Sequence, residues 1–324
     1  SARPIVPVNW ATHIDEKGRP VENPAARYDE IDRPFAGWPS SRGAHSWQPM
    51  AFNPATGLVY IPVQETAQIF ELDKDYKPTP MGWHTGALLY PKGRPPLSPS
   101  RAYLLAWDPV AQKERWRAAL TSSGGGVLST AGNLVFQGDG KGALVAYRAD
   151  TGQKIWSANL QGQAMAAPIS YSVGGSQFIA VMVGCGGDFA DQCRLIGPEG
   201  RAPITDRLIV FRIGGDATLP PAPALIPQTF VRGDAPAPAA QRARGQQLFE
   251  RFCAVCHGGG AVSSGLNPDL RASPIVPTDG FFDIVLDGAL KANGMDSFAR
   301  VLSRADAEAI RAYIAERRTA AAGQ

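Results

Sequence analysis

The chain has 324 residues, enough for two or three domains. Its 44% apolar content is that of a globular protein, and no apolar run is long enough to span a bilayer. A formal net charge of only +3 gives no argument for nucleic-acid binding.

The 35 glycines and 28 prolines predict many turns between short strands. The opening "SARPIVPVNW" reads as a strand entering a loop and carries no signal peptide. "PMAFNPATGLVYIPV" (Pro49 to Val63) reads as a hairpin turning at Pro54 to Gly57. A long irregular insert, Thr66 to Arg101, follows. "LLAWDPVAQKERW" (Leu104 to Trp116) then recurs 40 residues later as "LVAYRADTGQKIW" (Leu144 to Trp156), with Trp116 falling on Trp156. Each copy reads strand, turn, strand. In the second copy Asp150-Thr151-Gly152 is the turn, with Gly152 free to take a positive φ. Two further hairpins turn at Gly132-Asn133 and at Gly174-Gly175, and "RLIVFRIGG" (Arg207 to Gly215) reads as the last strand.

Hairpins alternating at this period predict four-stranded units stacked around an axis, an all-β propeller of about four blades over residues 1–215. A β-sandwich of short strands would need no tryptophan at a fixed offset, whereas each propeller blade docks its aromatic on the next. Four blades can close a ring, but because the stretch begins in mid-element and carries a long insert, it is expected to be half of a larger ring.

Residues 216–240 hold six prolines and read as an extended linker. Residues 241–324 then read as a small all-α domain. "QRARGQQLFERF" puts Leu248, Phe249 and Phe252 on one helical face. Next comes "FCAVCHGGG". Cys253 and Cys256 can each form a thioether to one haem, with His257 beneath the iron, which is the C-x-x-C-H pattern of c-type attachment. A thioredoxin-like pair would follow a strand and open a helix in a βαβ unit, and a zinc site would need a second Cys/His pair at ligand spacing. Neither context is present.

Met295, in "LKANGMDSF", is the sole methionine after His257, and Asn293-Gly294 marks a loop there; it is the expected second axial ligand. "SRADAEAIRAYIAERR" begins with a Ser303/Asp306 capping box and carries Ile310, Tyr313 and Ile314 as its apolar stripe. Arg317 and Arg318 are placed in the last turn, where cations suit the helix dipole. So thin a core is expected not to fold without its haem. Covalent haem attachment implies the oxidising side of a membrane, and hence loss of an N-terminal segment by processing or truncation. There Cys185 and Cys193 could pair or stay free. His13, His45 and His84 are given no role.

"GAHSWQPMAFNPATGLVYIPVQE", "LLAWDPVAQKERW", "GGGVLSTAGNLVFQGDGKGALVAY" and "CAVCHG…NPDLR…VLDGALKANGM" together resemble the quinohaemoprotein alcohol dehydrogenases. In that family an eight-bladed propeller binds pyrroloquinoline quinone (PQQ) and a C-terminal cytochrome domain carries haem c. The resemblance covers nearly the whole chain and is to the C-terminal half of the family. It implies oxidation of a primary alcohol at PQQ, and electron transfer through haem c to an external acceptor, a small redox protein or a quinone. The catalytic aspartate, the calcium ligands, the vicinal cysteines and the lysine that contacts the quinone lie in earlier blades and have no counterpart here. The chain would therefore need a missing N-terminal propeller half.

Of the quinone wall, Trp47 matches a family tryptophan beside the cofactor. Ser46 stands where an asparagine usually bonds a quinone oxygen, and Asp188, in "VGCGGDFADQC", falls near the loop at the quinone edge. Two rival readings are an electron-transfer module alone and one half of a split propeller completed by a separate chain.

Overall fold

A computed structural model describes residues 2–81, 85–88, 99–121, 123–184, 196–197, 200–201, 206–230, 237–263, 265 and 267–323. Its contacts divide the chain into two units. The first comprises Ser1–Leu72, Pro91–Cys185 and Thr205–Ala222, and the second Asp73–Tyr90, Gly186–Ile204 and Pro223–Gln324.

The first unit is β-sheet. A small hairpin pairs β1 (Ala11–Ile14) with β2 (Pro20–Glu22). The expected opening strand is absent: β1 begins only at Ala11, because Pro4 and Pro7 deny the segment before it ladder donors. Next come β3 (Phe35–Gly37), β4 (Ala51–Asn53), β5 (Leu58–Glu65) and β6 (Gln68–Phe70), the last returning to pair with β3. With β7 (Arg101–Asp108) and β8 (Lys113–Leu120), β4 and β5 form an antiparallel four-stranded sheet in the order β4-β5-β7-β8.

A second four-stranded sheet is a plain meander of β9 (Gly124–Thr130), β10 (Leu134–Asp139), β11 (Ala143–Arg148) and β12 (Lys154–Asn159). A third joins β13 (Ile169–Val173) and β14 (Ser176–Val183) to β17 (Arg207–Arg212) in three strands. Between them in sequence, the short pair β15 (Ile196–Gly197) and β16 (Gly200–Arg201) belongs to the second unit. The expected hairpin turns are all present. Asn133 has φ +62°, and the turn glycines Gly57, Gly152, Gly174 and Gly175 also lie at positive φ.

The repeated tryptophan shows how neighbouring sheets stack. Trp116, on β8, is buried and lies against the β11–β12 turn of the next sheet. Its indole N–H donates to the Ala149 carbonyl at 2.9 Å. Its ring meets Tyr60 and Tyr147 with centroids 5.7 and 6.4 Å away. Gly152 is required there: φ is +73°, and a Cβ would sit 2.6 Å from the Trp116 ring. Leu58, Tyr60, Leu104, Val127, Val135 and Val145 complete one core shared by the two four-stranded sheets. At the repeat position, Trp156 meets Phe211 edge-on at 5.2 Å but stays 39% exposed, against 9% for Trp116. A groove of about 700 Å³ opens beside it, between the second and third sheets.

The second unit is helical. α1 (Ala239–Phe252) crosses α4 (Arg304–Ala322) so closely that a Cβ on Gly245 would sit 1.9 Å from the Ala309 carbonyl oxygen. With α3 (Gly280–Val285) they enclose Phe249, Phe252, Phe281, Phe282, Ile310, Tyr313 and Ile314. The short α2 (Ala254–His257) follows α1 directly. The capping box forms as expected, with Ser303 Oγ accepting from Asp306 N–H at 3.2 Å and Asp306 Oδ2 from Ser303 N–H at 3.0 Å.

Two stretches that read as irregular in the sequence make specific contacts. In the proline-rich stretch, Leu219 lies against the core of the third sheet, and the Pro220 carbonyl accepts from Gln161 Nε2 at 2.9 Å. Farther on, Phe230 lies under the Arg271 guanidinium at 5.0 Å. The insert's residues 73–81 belong to the helical unit, where the Lys77 carbonyl accepts from Arg251 Nη2 at 2.7 Å.

Trp116→Ala should lower stability by about 3–5 kcal/mol, the range for emptying a large aromatic site. The same change at Trp156, already part-exposed, should cost about 1–2 kcal/mol. Urea unfolding followed by far-UV circular dichroism measures both, and equal losses would mean that Trp116 does not join the two sheets.

Candidate functional site

Cys253, Cys256 and His257 lie on one helical turn. α1 ends at Phe252, and the turn continues through Cys253 N–H to the Phe249 carbonyl (2.8 Å) and His257 N–H to the Cys253 carbonyl (2.9 Å). Spacings of three and four in helical backbone place the three side chains on one face. Both cysteines are free thiols; Cys253 is buried and Cys256 exposed. Burial, with lesser contributions from Glu250 and Cys256, pushes the Cys253 thiol up to about 12. A thiol so protonated is a poor redox nucleophile, which argues against a thioredoxin-like pair.

His257 is 9% exposed. Its Nδ1–H donates to the Pro268 carbonyl at 3.1 Å, which fixes the tautomer and leaves Nε2 as the nitrogen for a metal. Burial holds its pKa below the ordinary histidine value, although the Pro268 bond and Asp269 oppose the shift. The ring is therefore neutral at pH 7, the form that ligates.

The segment carrying Pro268 is itself secured. Asn267 Nδ2–H donates to the Cys256 carbonyl at 2.8 Å. Asp269 and Arg271 form a buried ion pair at 2.6 Å. Arg318, reaching in from α4, donates to the carbonyls of Arg271 (2.7 Å) and Ser273. Arg317 and Arg318 therefore do not serve in the last turn of the helix as expected. α4 runs on to Ala322 with no base in its last turn, and Arg318 is buried.

Met295 follows a single helical turn, Lys291–Asn293, that Gly294 ends at φ +91°. It is partly buried and packs on the cluster that contains Cys253. Two thiols and an imidazole on one face, a free Nε2, and a thioether beside the same aromatic core fit a covalently held haem. Among the described residues no group of three or more His, Cys, Asp or Glu could hold a separate ion.

In the sheet unit, Trp47 is 48% exposed, unlike the docked Trp116, and Ser46 beside it is exposed. Asp188, Cys185, Cys193 and His84 lie outside the described residues. His45 Nδ1–H donates to the Pro62 carbonyl at 2.8 Å, a structural contact.

Comparison with known proteins agrees with both halves of this description. Residues 24–179 match the family described as glucose/ethanol/alcohol dehydrogenase, beta-propeller domain. Residues 240–314 match the family described as cytochrome c oxidase, cbb3-type, subunit III. The chain is 42% identical to quinohemoprotein alcohol dehydrogenase ADH IIB of Pseudomonas putida over 98% of its own length and 46% of that protein's. It is 37% identical to the quinohemoprotein alcohol dehydrogenase of Comamonas testosteroni over 97% of its length and 45% of the relative's. The solved structure of quinohemoprotein alcohol dehydrogenase ADHIIG from Pseudomonas putida HK5 superposes with a TM-score of 0.83 at 34% identity, covering 99% of this chain and 48% of that one.

Over nearly its whole length the chain is homologous to quinohaemoprotein alcohol dehydrogenases. It spans about half the length of the curated relatives it matches. The propeller fold followed by a helical cytochrome c domain, expected from the 40-residue repeat and the C-x-x-C-H turn, is the fold of these quinohaemoproteins. Sequence reasoning did not single out Pro268 or Asn267, and it placed Arg318 at the helix end rather than beside the His257 segment. The first two stand in the "NPDLR" segment that carried the resemblance, but a main-chain acceptor such as the Pro268 carbonyl leaves no side-chain signature.

Proposed function

We propose that this chain is the haem-bearing portion of a PQQ-dependent alcohol dehydrogenase of the periplasm, oxidising primary alcohols and delivering electrons to an external redox protein or quinone. The observation that carries the reading is the His257 site: a neutral, buried imidazole with Nδ1 bound to Pro268 and Nε2 free, on the same helical face as Cys253 and Cys256. PQQ and haem c, when bound, would supply the two-electron oxidation of the alcohol and the one-electron relay. Cys253 and Cys256 would hold the haem covalently, and His257 and Met295 would ligate its iron. The Phe249–Phe252–Phe281 cluster keeps water from one side of the site. Trp47 would offer its exposed ring to the flat quinone and Ser46 a shorter polar contact beside it; Asp188, outside the described residues, is assigned to the same cofactor by the family resemblance alone. Calcium would accompany the quinone, with ligands outside this chain.

We further propose the domain division 1–215 propeller, 216–240 linker and 241–324 cytochrome. The catalytic aspartate and the remaining blades would come from outside the chain. The third sheet, three-stranded among the described residues, supports this reading: β17 is one of its two edges, with Leu208 61% and Val210 43% exposed. Such an edge invites a further strand. Among the described residues no helix is long and apolar enough to cross a membrane.

Protein matured in a periplasm should show a low-spin c-type spectrum. Met295→Ala should lose the sixth-ligand features and fall in potential, because thioether ligation favours reduced iron. An unchanged spectrum and potential would remove Met295 from the site. In the full-length enzyme, Trp47→Ala should weaken PQQ retention, measured as quinone content after dialysis, because a large aromatic surface is lost. Wild-type content would leave Trp47 without a role at the cofactor. Residues 1–324 alone, supplied with PQQ and calcium, should give no alcohol-dependent reduction of a dye acceptor and should self-associate. Robust turnover by a monodisperse monomer would show that the catalytic base lies within this chain.

A further inference from the structure

Glu250 is a carboxyl group buried in the cytochrome core that plays no part in the mechanism above. It is 4% exposed, three residues before Cys253 on α1. Its Oε1 accepts from the Gly260 N–H at 2.7 Å and from the Tyr313 hydroxyl of α4 at 3.4 Å. The other side of the same glycine is held too: the Gly260 carbonyl accepts from Arg317 Nε, also on α4, at 2.8 Å.

Between these two grips lies the turn that leaves His257. That turn is costly. Gly258, Gly260 and Ala261 all have positive φ, at +81°, +67° and +59°, and Ala261 is a non-glycine residue in that region. At Gly258 a Cβ would also meet the Val262 carbonyl oxygen at 1.9 Å. Left to itself, such a turn would relax and let the end of α2 rotate. On its other flank His257 is held by the Pro268 carbonyl, in the segment that Arg318 secures.

We propose that Glu250 and Arg317 are positioning residues that clamp Gly260 from both sides and thereby set the orientation of the His257 ring towards the haem iron. The inference rests on the haem reading above. Glu250 supplies an acceptor from the helical core, Arg317 supplies the opposing donor, and α1 and α4 provide the rigid frame. Losing the carboxyl leaves the part-buried Gly260 N–H without its partner.

The test uses the haem-loaded full chain and three variants: Glu250→Leu, which removes the acceptor; Glu250→Gln, which keeps it; and Arg317→Gln, which cannot reproduce the guanidinium contact. Two readouts are taken. The pattern of hyperfine-shifted haem methyl resonances in the oxidised protein reports the orientation of the axial ring planes, and hydrogen exchange reports the Gly260 amide. Glu250→Leu and Arg317→Gln should each reorder the methyl resonances. Glu250→Leu should also speed Gly260 exchange by about ten- to a hundredfold. Glu250→Gln should keep both near wild type. A fall in thermal stability with the methyl pattern and Gly260 protection unchanged would reduce Glu250 and Arg317 to core packing and overturn the proposal. Should Glu250→Leu fail to fold, the part-exposed Arg317→Gln decides the matter alone. Mass spectrometry of the wild-type chain separates the two layers: absence of covalent haem overturns the haem reading, whereas attached haem with unmoved variants overturns only the clamp.

Discussion

One carbonyl oxygen joins the two four-stranded sheets. Ala149 O, at the β11–β12 turn of one sheet, accepts both the Trp116 indole N–H and the Tyr60 hydroxyl from the other, each at 2.9 Å. Both donors sit on large rings, so satisfying their polar atoms also fixes where the apolar surfaces lie. A buried indole or phenol needs a partner, and a buried turn carbonyl needs a donor; each meets the other's requirement. The turn can present that carbonyl because Gly152 lets the chain double back without a side chain in the tryptophan's place. Register follows. A slip of one residue would take Trp116 off the face that Tyr60 shares and expose the core side chains of both sheets.

The same device at the next repeat position is less complete, and the difference has a physical origin. Trp156 faces Phe211 of a sheet with three strands among the described residues, so no second pair of strands closes over it. An edge strand with exposed Leu208 and Val210, beside a 700 Å³ groove, is what a sheet looks like when its next strand comes from elsewhere.

Much of this was legible in the sequence, for reasons tied to particular residues. Turns betray themselves because only certain residues tolerate their backbone, so Gly57, Gly152 and Asn133 marked hairpins correctly. The 40-residue offset of Trp116 and Trp156 survives because the docking geometry recurs. The candidate haem site was legible because c-type attachment would demand two thiols and an imidazole at a fixed spacing. What stayed hidden depends on main-chain atoms or on where the chain returns in space. The Pro268 carbonyl that sets the His257 tautomer has no letter of its own. The insert after β6 gave no hint that residues 73–81 would pack with the helices. The opening strand failed because two prolines outweighed the apolar alternation around them.

Arg317 and Arg318 show most clearly how burial overrides a local rule. On an isolated helix, two bases near the C-terminus would favour the dipole and remain solvated. Here α4 continues past them, and both turn inward to main-chain carbonyls of the segments on either side of His257. Desolvation lowers the Arg318 pKa, so the charge is held at a cost. That cost is offset because irregular backbone around a buried site has no ladder to satisfy it. A guanidinium carries five donors in a rigid fork and can serve several carbonyls at once, where lysine would offer a single mobile point of charge. A thin helical core has little apolar surface with which to fix a loop. It fixes these loops with hydrogen bonds instead, and the cations that seemed to decorate the helix end become the supports of the histidine.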